Sequence, residues 1–225
     1  MNDTYPTTRD LAARIDHTNL VPDAGAAQIV ALCTEARAHN FAAVCVNPMR
    51  VGLAVSELRD TGIAVCAVVG FPSGAHLTST KVAEATACVT VGAREIDMVA
   101  HAGWPKDREW ERYRDDIRAV REAISSETTL KVIIEASRLE PGEIERAALL
   151  AAEAGADFVK TSTGVYGQAR IEDVTLLRRI LPAHVKIKAA GGIRTLEQVL
   201  SFLNAGADRI GTSAGVAIMR ELPPS

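Results

Sequence analysis

Aromatic side chains are scarce in this sequence. Four Phe, three Tyr and two Trp in 225 residues, against 48% hydrophobic residues overall, leave the core to Ala, Val, Ile and Leu. That composition suits packed helices and buried parallel strands. Cysteine is rare as well. Cys33, Cys45, Cys66 and Cys88 show neither CxxC spacing nor the density of a secreted disulfide scaffold, so they read as reduced, mostly buried thiols of a cytoplasmic protein. Positive charge is not in excess: the net charge of −3 and pI near 6.0 give no footprint for nucleic acid or an anionic membrane. The longest apolar run, GIAVCAVVGF (62–71), is far too short to span a bilayer. The opening MNDTYPTTRDLAARIDH mixes acidic and basic residues, unlike a signal peptide. His17, His39, His76, His101 and His184 are scattered without metal-ligand spacing, so no metal is expected.

What the chain does contain is alternation. Short β-rich runs recur at residues 14–18, 42–47, 64–71, 95–100, 131–137, 158–163, 185–190 and 209–213, with helical periodicity between them. After Pro141, the apolar residues Ile144, Ala147, Ala148, Ala151 and Ala152 form one helical stripe, which Gly155 should stop. Thr195 and Gln198 form a capping-box pair ahead of Leu196, Val199, Leu200 and Leu203, and Gly206 ends that helix. The punctuation repeats: AGADFVKTSTG (154–164) and AGADRIGTSAG (205–215) share a helix stop, a strand and a hydroxyl-rich exit. VGAREIDMV (91–99) is a weaker third copy. Eight strands alternating with helices over this length, with no linker or shift in composition, predict a single (β/α)8 TIM barrel domain over 1–225. An open doubly wound sheet is the alternative.

In such a barrel the chemistry sits at the C-terminal strand ends. Polar residues collect there: Asp16 and Thr18, Cys45 and Asn47, Asp97, Glu135, Lys160, Lys188 and Ser213. Most have an ordinary reading, since a lone Asp near a strand end is usually a cap and a lone Cys usually packs a core. Lys160 is harder to dismiss. It closes an apolar strand, and lysine is almost never buried without a reason. Alternation in the seventh strand turns Val185 and Ile187 outward and Lys186 and Lys188 inward, with Lys186 facing solvent at the far end of the barrel. A buried lysine loses the solvation of its charged form, and a second cation nearby disfavours that form further, so its pKa falls. The neutral amine can then attack a carbonyl and form a Schiff base, with Asp97 passing protons through a water. This chemistry needs no metal or organic cofactor. AAGGIR (189–194) and GTSAG (211–215) follow the seventh and eighth strands, the usual phosphate-binding place in this fold, and Gly164 adds a third backbone donor.

The motifs EIDMV, DFVKTSTG and KAAGGIRT, in that order, resemble those of the 2-deoxyribose-5-phosphate aldolase family of class I aldolases. IDHTNL (15–20), VCVNP (44–48) and VVGFPSGAHLTSTKVAEA (68–85) are similar to that family too, and the resemblance runs from about residue 10 to 218. It implies a cytoplasmic barrel enzyme that reversibly cleaves 2-deoxy-D-ribose 5-phosphate to D-glyceraldehyde 3-phosphate and acetaldehyde, working as a dimer or tetramer. By the same resemblance Lys160 is the Schiff-base lysine, Lys188 the neighbour that helps it shed its proton, and Asp97 the proton donor and acceptor. Asp16, Thr18 and Cys45 would line the aldehyde and hydroxyl part of the pocket. Gly164, Gly191, Gly192 and Ser213 would hold the phosphate. Three features depart from the family pattern: Val165 stands where some members have lysine, AHAGWPKD (100–107) replaces an asparagine-containing form, and the chain ends MRELPPS without a tyrosine. Another phosphosugar barrel, or a non-catalytic phosphometabolite-binding barrel, would share the glycine loops. Paired lysines on the sixth and seventh strands set this chain apart from both.

Overall fold

The eight apolar runs form strands, because apolar residues at alternate positions, such as Val65, Ala67 and Val69 in one run and Ile96 and Met98 in the next, give them a face to bury against the helix layer. The computed structural model describes residues 6–223, which leaves the start of the N-terminal segment and the last two tail residues outside the described part. The strands are β1 (Ile15–Asn19), β2 (Ala43–Val46), β3 (Ala64–Val69), β4 (Glu95–Val99), β5 (Thr129–Ile133), β6 (Phe158–Lys160), β7 (Lys186–Ala190) and β8 (Arg209–Thr212). Each pairs in parallel with the next, and β8 pairs with β1, so the sheet is closed. This is a (β/α)8 TIM barrel, and the open doubly wound alternative is set aside. No helix among the described residues is long and apolar enough to cross a membrane.

Most strands stop earlier than their composition suggests. β6 ends at Lys160 rather than at residue 163, because the Thr161 hydroxyl donates to the Ala190 carbonyl (3.2 Å) and the chain turns out of the sheet. β5 ends at Ile133, and Glu135 beyond it adopts a left-handed backbone (φ 50°) before a short 3-10 turn over Ala136–Arg138. The helix Pro141–Glu153 buries Ile144, Ala147, Ala148 and Ala151, while Ala152 is only partly covered. The capping box of Thr195 and Gln198 opens the helix Leu196–Asn204. That helix buries Leu196, Val199 and Phe202, with Leu200 and Leu203 at the margin of the core.

The repeated AGAD sequence has a structural job. Gly155 (φ 92°) and Gly206 (φ 110°) end their helices in a conformation that side chains disfavour. The aspartate two residues later then caps the start of the preceding strand. Asp157 Oδ2 accepts the Leu130 amide at 2.7 Å, and Asp208 Oδ2 accepts the Ile187 amide at 2.8 Å. Arg121 and Arg178, from the helices before, reach the same two carboxylates.

The main core lies between sheet and helices and is almost wholly aliphatic. A fully buried ion pair interrupts that layer. Lys81, from the helix Thr78–Val91, and Asp116, from the helix Trp110–Ala123, are both buried, with Nζ and Oδ2 2.7 Å apart. Thr78 donates to the other carboxylate oxygen at 2.7 Å. Burial lowers the Lys81 pKa despite this carboxylate. Removing one partner strands the other charge in a medium that cannot solvate it. Asp116→Ala should therefore cost about 3–5 kcal/mol, read as a fall in Tm of roughly 6–20 °C for a chain of this size. The same substitution made on Lys81→Met should cost clearly less. A loss below about 1 kcal/mol would place the pair with surface ion pairs.

Inside the barrel the aliphatic fill is small. Ala43, Cys45, Ala64, Cys66 and Val68 form one cluster on the β2–β3 side, capped by Leu20 and Phe71. Much of the rest of the interior is charged.

Candidate active site

Seven ionisable side chains project into the barrel from six strands: Asp16 from β1, Glu95 and Asp97 from β4, Lys131 from β5, Lys160 from β6, Lys188 from β7 and Arg209 from β8. Register places them side by side, with Asp97 opposite Lys131, Lys160 opposite Lys188, and Lys188 opposite Arg209. Asp97 is the hub. Its Oδ2 accepts from Lys160 Nζ and from Lys188 Nζ, each at 2.7 Å, and its Oδ1 accepts from Lys131 Nζ at 2.8 Å. The Cys66 thiol also donates to Oδ1 (3.0 Å). Burial opposes charge on Asp97, but the three ammoniums outweigh it and hold the carboxyl well below the usual carboxylate range.

Lys188 has a second carboxylate. Asp16 Oδ2 lies 2.5 Å from its Nζ, an ion pair aligned off the hydrogen-bonding direction. Asp16 Oδ1 pairs with Arg209 Nη1 at 2.6 Å. Burial works against the Lys188 charge too, yet Asp16 and Asp97 keep its ammonium above the ordinary lysine range. Lys131 is held protonated in the same way against burial, by the carboxylates of Asp97, Glu95 and Asp16. Gly211 makes room for this packing: a Cβ there would come 3.0 Å from Lys188 Cε.

A cavity of about 590 Å³ opens above these charges, and Lys160 stands at its base. Thr18, Gly164, Gly191, Gly192 and Ser213 line it, so the loops after β6, β7 and β8 share one wall. The loop after β6 is braced by Glu135, whose Oε2 accepts from both the amide (3.1 Å) and the hydroxyl (2.5 Å) of Thr163. Gly191 is held against the neighbouring loop, where a Cβ would meet the Gly167 carbonyl at 3.0 Å.

Asp16 and Cys45 lie deeper than the pocket-lining place expected of them. Asp16 is the second residue of β1, not its last, and the cations of β7 and β8 engage it below the cavity. Cys45 is fully buried beside Cys66, its register partner on β3. Lys186 is exposed, as its position at the far end of the barrel suggested, with its ammonium 5.6 Å from the Phe158 ring centroid. Cys45, Cys66 and Asp97 bring three possible metal-ligand atoms within 4.8 Å of one another, a grouping the sequence did not reveal. The Lys131 ammonium already occupies that space, 3.3 Å from Cys66 Sγ and 2.8 Å from Asp97.

Four further residues escaped the sequence reading. Glu95 and Arg209 begin their strands, and Lys131, third of five in β5, begins the apolar run KVII, where a charged residue ordinarily meets solvent. Arg194 follows the glycine pair and lines the same cavity as the phosphate-type loops. Its signal was its place in GGIR, directly beside the glycines.

With its polar interior gathered beneath a cavity at the C-terminal strand ends, this is a barrel built as enzymes of that fold are built. The model of the DeoC/LacD family aldolases matches residues 11–222. The chain belongs to that family of aldolases. It is 50% identical over 210 residues to deoxyribose-phosphate aldolase 1 of Cutibacterium acnes, covering 93% of this chain and 96% of the relative. It is 48% identical over 211 residues to the deoxyribose-phosphate aldolase of Bacillus subtilis, covering 93% and 95%. Among solved structures, the tetrameric deoxyribose phosphate aldolase from Aeropyrum pernix superposes with a TM-score of 0.86 at 33% identity, covering 95% of this chain and 91% of that one.

Proposed function

We propose that this aldolase cleaves 2-deoxy-D-ribose 5-phosphate reversibly to D-glyceraldehyde 3-phosphate and acetaldehyde, through a Schiff base on Lys160. The observation that carries the reading is the place of the Lys160 amine, at the base of the glycine-rimmed cavity and 2.7 Å from an ionised Asp97. The neutral amine attacks the C1 aldehyde of the open-chain sugar, and loss of water leaves an iminium. The C3 hydroxyl gives its proton to a water held on Asp97, the C2–C3 bond breaks, and its electron pair moves into the iminium as an enamine. Glyceraldehyde 3-phosphate departs. Protonation at C2 and hydrolysis of the imine release acetaldehyde and restore the lysine. Lys188 keeps a fixed positive charge beside the reacting nitrogen, and Asp97 is ionised and able to accept. Appearance of both aldehydes from 2-deoxyribose 5-phosphate in a coupled assay tests the reaction. Activity confined to an unrelated phosphosugar would overturn it.

The phosphate end of the substrate belongs against Gly164, Gly191, Gly192 and Ser213. Val165 cannot supply a cation there, but Arg194 lines the same cavity and can. Binding energy at a remote group supports the chemical step by fixing orientation. Unphosphorylated 2-deoxyribose should therefore lose at least ~10-fold in kcat/KM, about 1.4 kcal/mol of transition-state stabilisation. Arg194→Met should narrow that preference by lowering kcat/KM for the phosphorylated sugar alone. Equal use of both sugars by the unsubstituted protein would show that the glycine loops are only turns. We extend the reading to self-association as a dimer or tetramer, which light scattering at working concentration checks.

A further inference from the structure

The charges in the barrel interior form a closed circuit. From Asp16 the path runs to Lys188 (2.5 Å), to Asp97 (2.7 Å), to Lys131 (2.8 Å), to Glu95 (2.6 Å), to Arg209 (3.7 Å) and back to Asp16 (2.6 Å). Sign alternates at every step. Lys188 and Arg209 each lie between two carboxylates, and Lys131 lies between Asp97 and Glu95 with Asp16 3.9 Å away. Lys160 alone stands outside the circuit, with one carboxylate oxygen that it shares with Lys188. Three carboxylates thus face three bridging cations, and the fourth cation is surplus.

We propose that Lys131 and Arg209 are positioning residues for the reaction: with Lys188 they neutralise Asp16, Glu95 and Asp97, so that Lys160 is the one ammonium whose proton the barrel interior sheds without unbalancing itself. The inference rests on the proposed Schiff-base role of Lys160. A buried cluster with a net charge is costly because the surroundings solvate it poorly, whereas a balanced one solvates itself. With Lys160 protonated the cluster carries one excess positive charge. With Lys160 neutral it carries none, and every other group keeps its partners. Removing any other proton would leave two carboxylates facing a single gap. Of the remaining groups turned toward this space, Cys66 is a thiol that donates to Asp97, and burial pushes its pKa well up. Cys45, its register partner, is pulled down by its hydrogen bond with Cys66 against burial and the Asp97 carboxylate, and the circuit balances with Cys45 as a thiol. Glu135 is tied to Thr163 at the rim, and Lys186 is exposed at the opposite end over Phe158.

The circuit predicts opposite signs for two substitutions. In Lys131→Met a bridging cation is lost, and the interior needs the Lys160 proton to stay neutral. The acid limb of the kcat/KM profile should then move upward by about one pH unit or more. In Glu95→Gln a carboxylate is lost, the surplus of positive charge grows, and the limb should move downward. The double variant is balanced again, and its limb should return toward that of the unsubstituted protein, even if its rate does not. Loss of packing or misplacement of Asp97 would lower rates without producing this pattern. A second readout follows the amine itself: the pH dependence of reductive ethylation by acetaldehyde and cyanoborohydride, mapped to residues by mass spectrometry. Limbs that stay fixed, that move in the same direction in both single variants, or that fail to recover in the double variant overturn the proposal. Should Lys131→Met not fold, the downward shift in Glu95→Gln still decides the matter. Ethylation of the unsubstituted protein at a residue other than Lys160 would instead refute the Schiff-base reading.

Discussion

Lys160→Met should lower kcat/KM by at least about 10⁴-fold, because the residue is both the proposed nucleophile and the electron sink that follows from it, and no neighbour replaces it. Lys188 and Lys131 are the nearest amines, but both are held as ammoniums by neighbouring carboxylates and are fully buried below the cavity. The protein should nevertheless fold with undiminished stability. Met fills most of the lysine's volume, and Asp97 retains Lys131 and Lys188 as partners. Treatment with acetaldehyde and borohydride should add one ethyl group to Lys160 in the unsubstituted protein and none in the variant. Substantial residual turnover, or an ethyl group on Lys188 or Lys186, would remove Lys160 from its role.

Asp97→Asn should damage rate and stability together. It withdraws the charge that three ammoniums share, leaving Lys131 with Glu95 and a more distant Asp16, Lys188 with Asp16, and Lys160 with no carboxylate within ion-pairing distance among the described residues. Breaking a buried pair from one side costs about 3–5 kcal/mol. Loss of the proton carrier should lower kcat by roughly 10²–10⁴-fold. The stability cost carries a pH signature. The Asp97 carboxyl is held well below its ordinary value in the folded state, so its contribution is present above the unfolded pKa and is lost as pH falls through the folded one. The gap in stability between the two proteins should be full above about pH 5 and shrink on further acidification. A gap that does not change between neutral and strongly acidic pH would mean that Asp97 contributes by shape rather than by charge.

The sequence by itself determined the alternation of eight strands with helices, because periodicity, glycine stops and capping pairs are local signals that survive without tertiary contacts. It marked Lys160 and Lys188 because each sits among apolar residues near a strand end, and it marked the glycine loops because they follow β7 and β8. It placed Asp16 and Asp97 among the polar strand-end residues, but it could not find Glu95, Lys131 and Arg209. Lys131 and Lys186 look alike along the chain, each at or near the start of an apolar run, and both have Phe158 as a register partner. Lys131 is nevertheless fully buried and Lys186 is exposed. Strands of a closed barrel tilt and shift in register around the axis, so depth inside it is a property of the whole sheet and not of any one strand. The same holds for Glu95 and Arg209, the first residues of β4 and β8, which only closure brings within 3.7 Å of each other. Which lysines keep their protons was likewise settled only by the folded barrel, because charge balance in a buried cluster depends on every member that the fold assembles there.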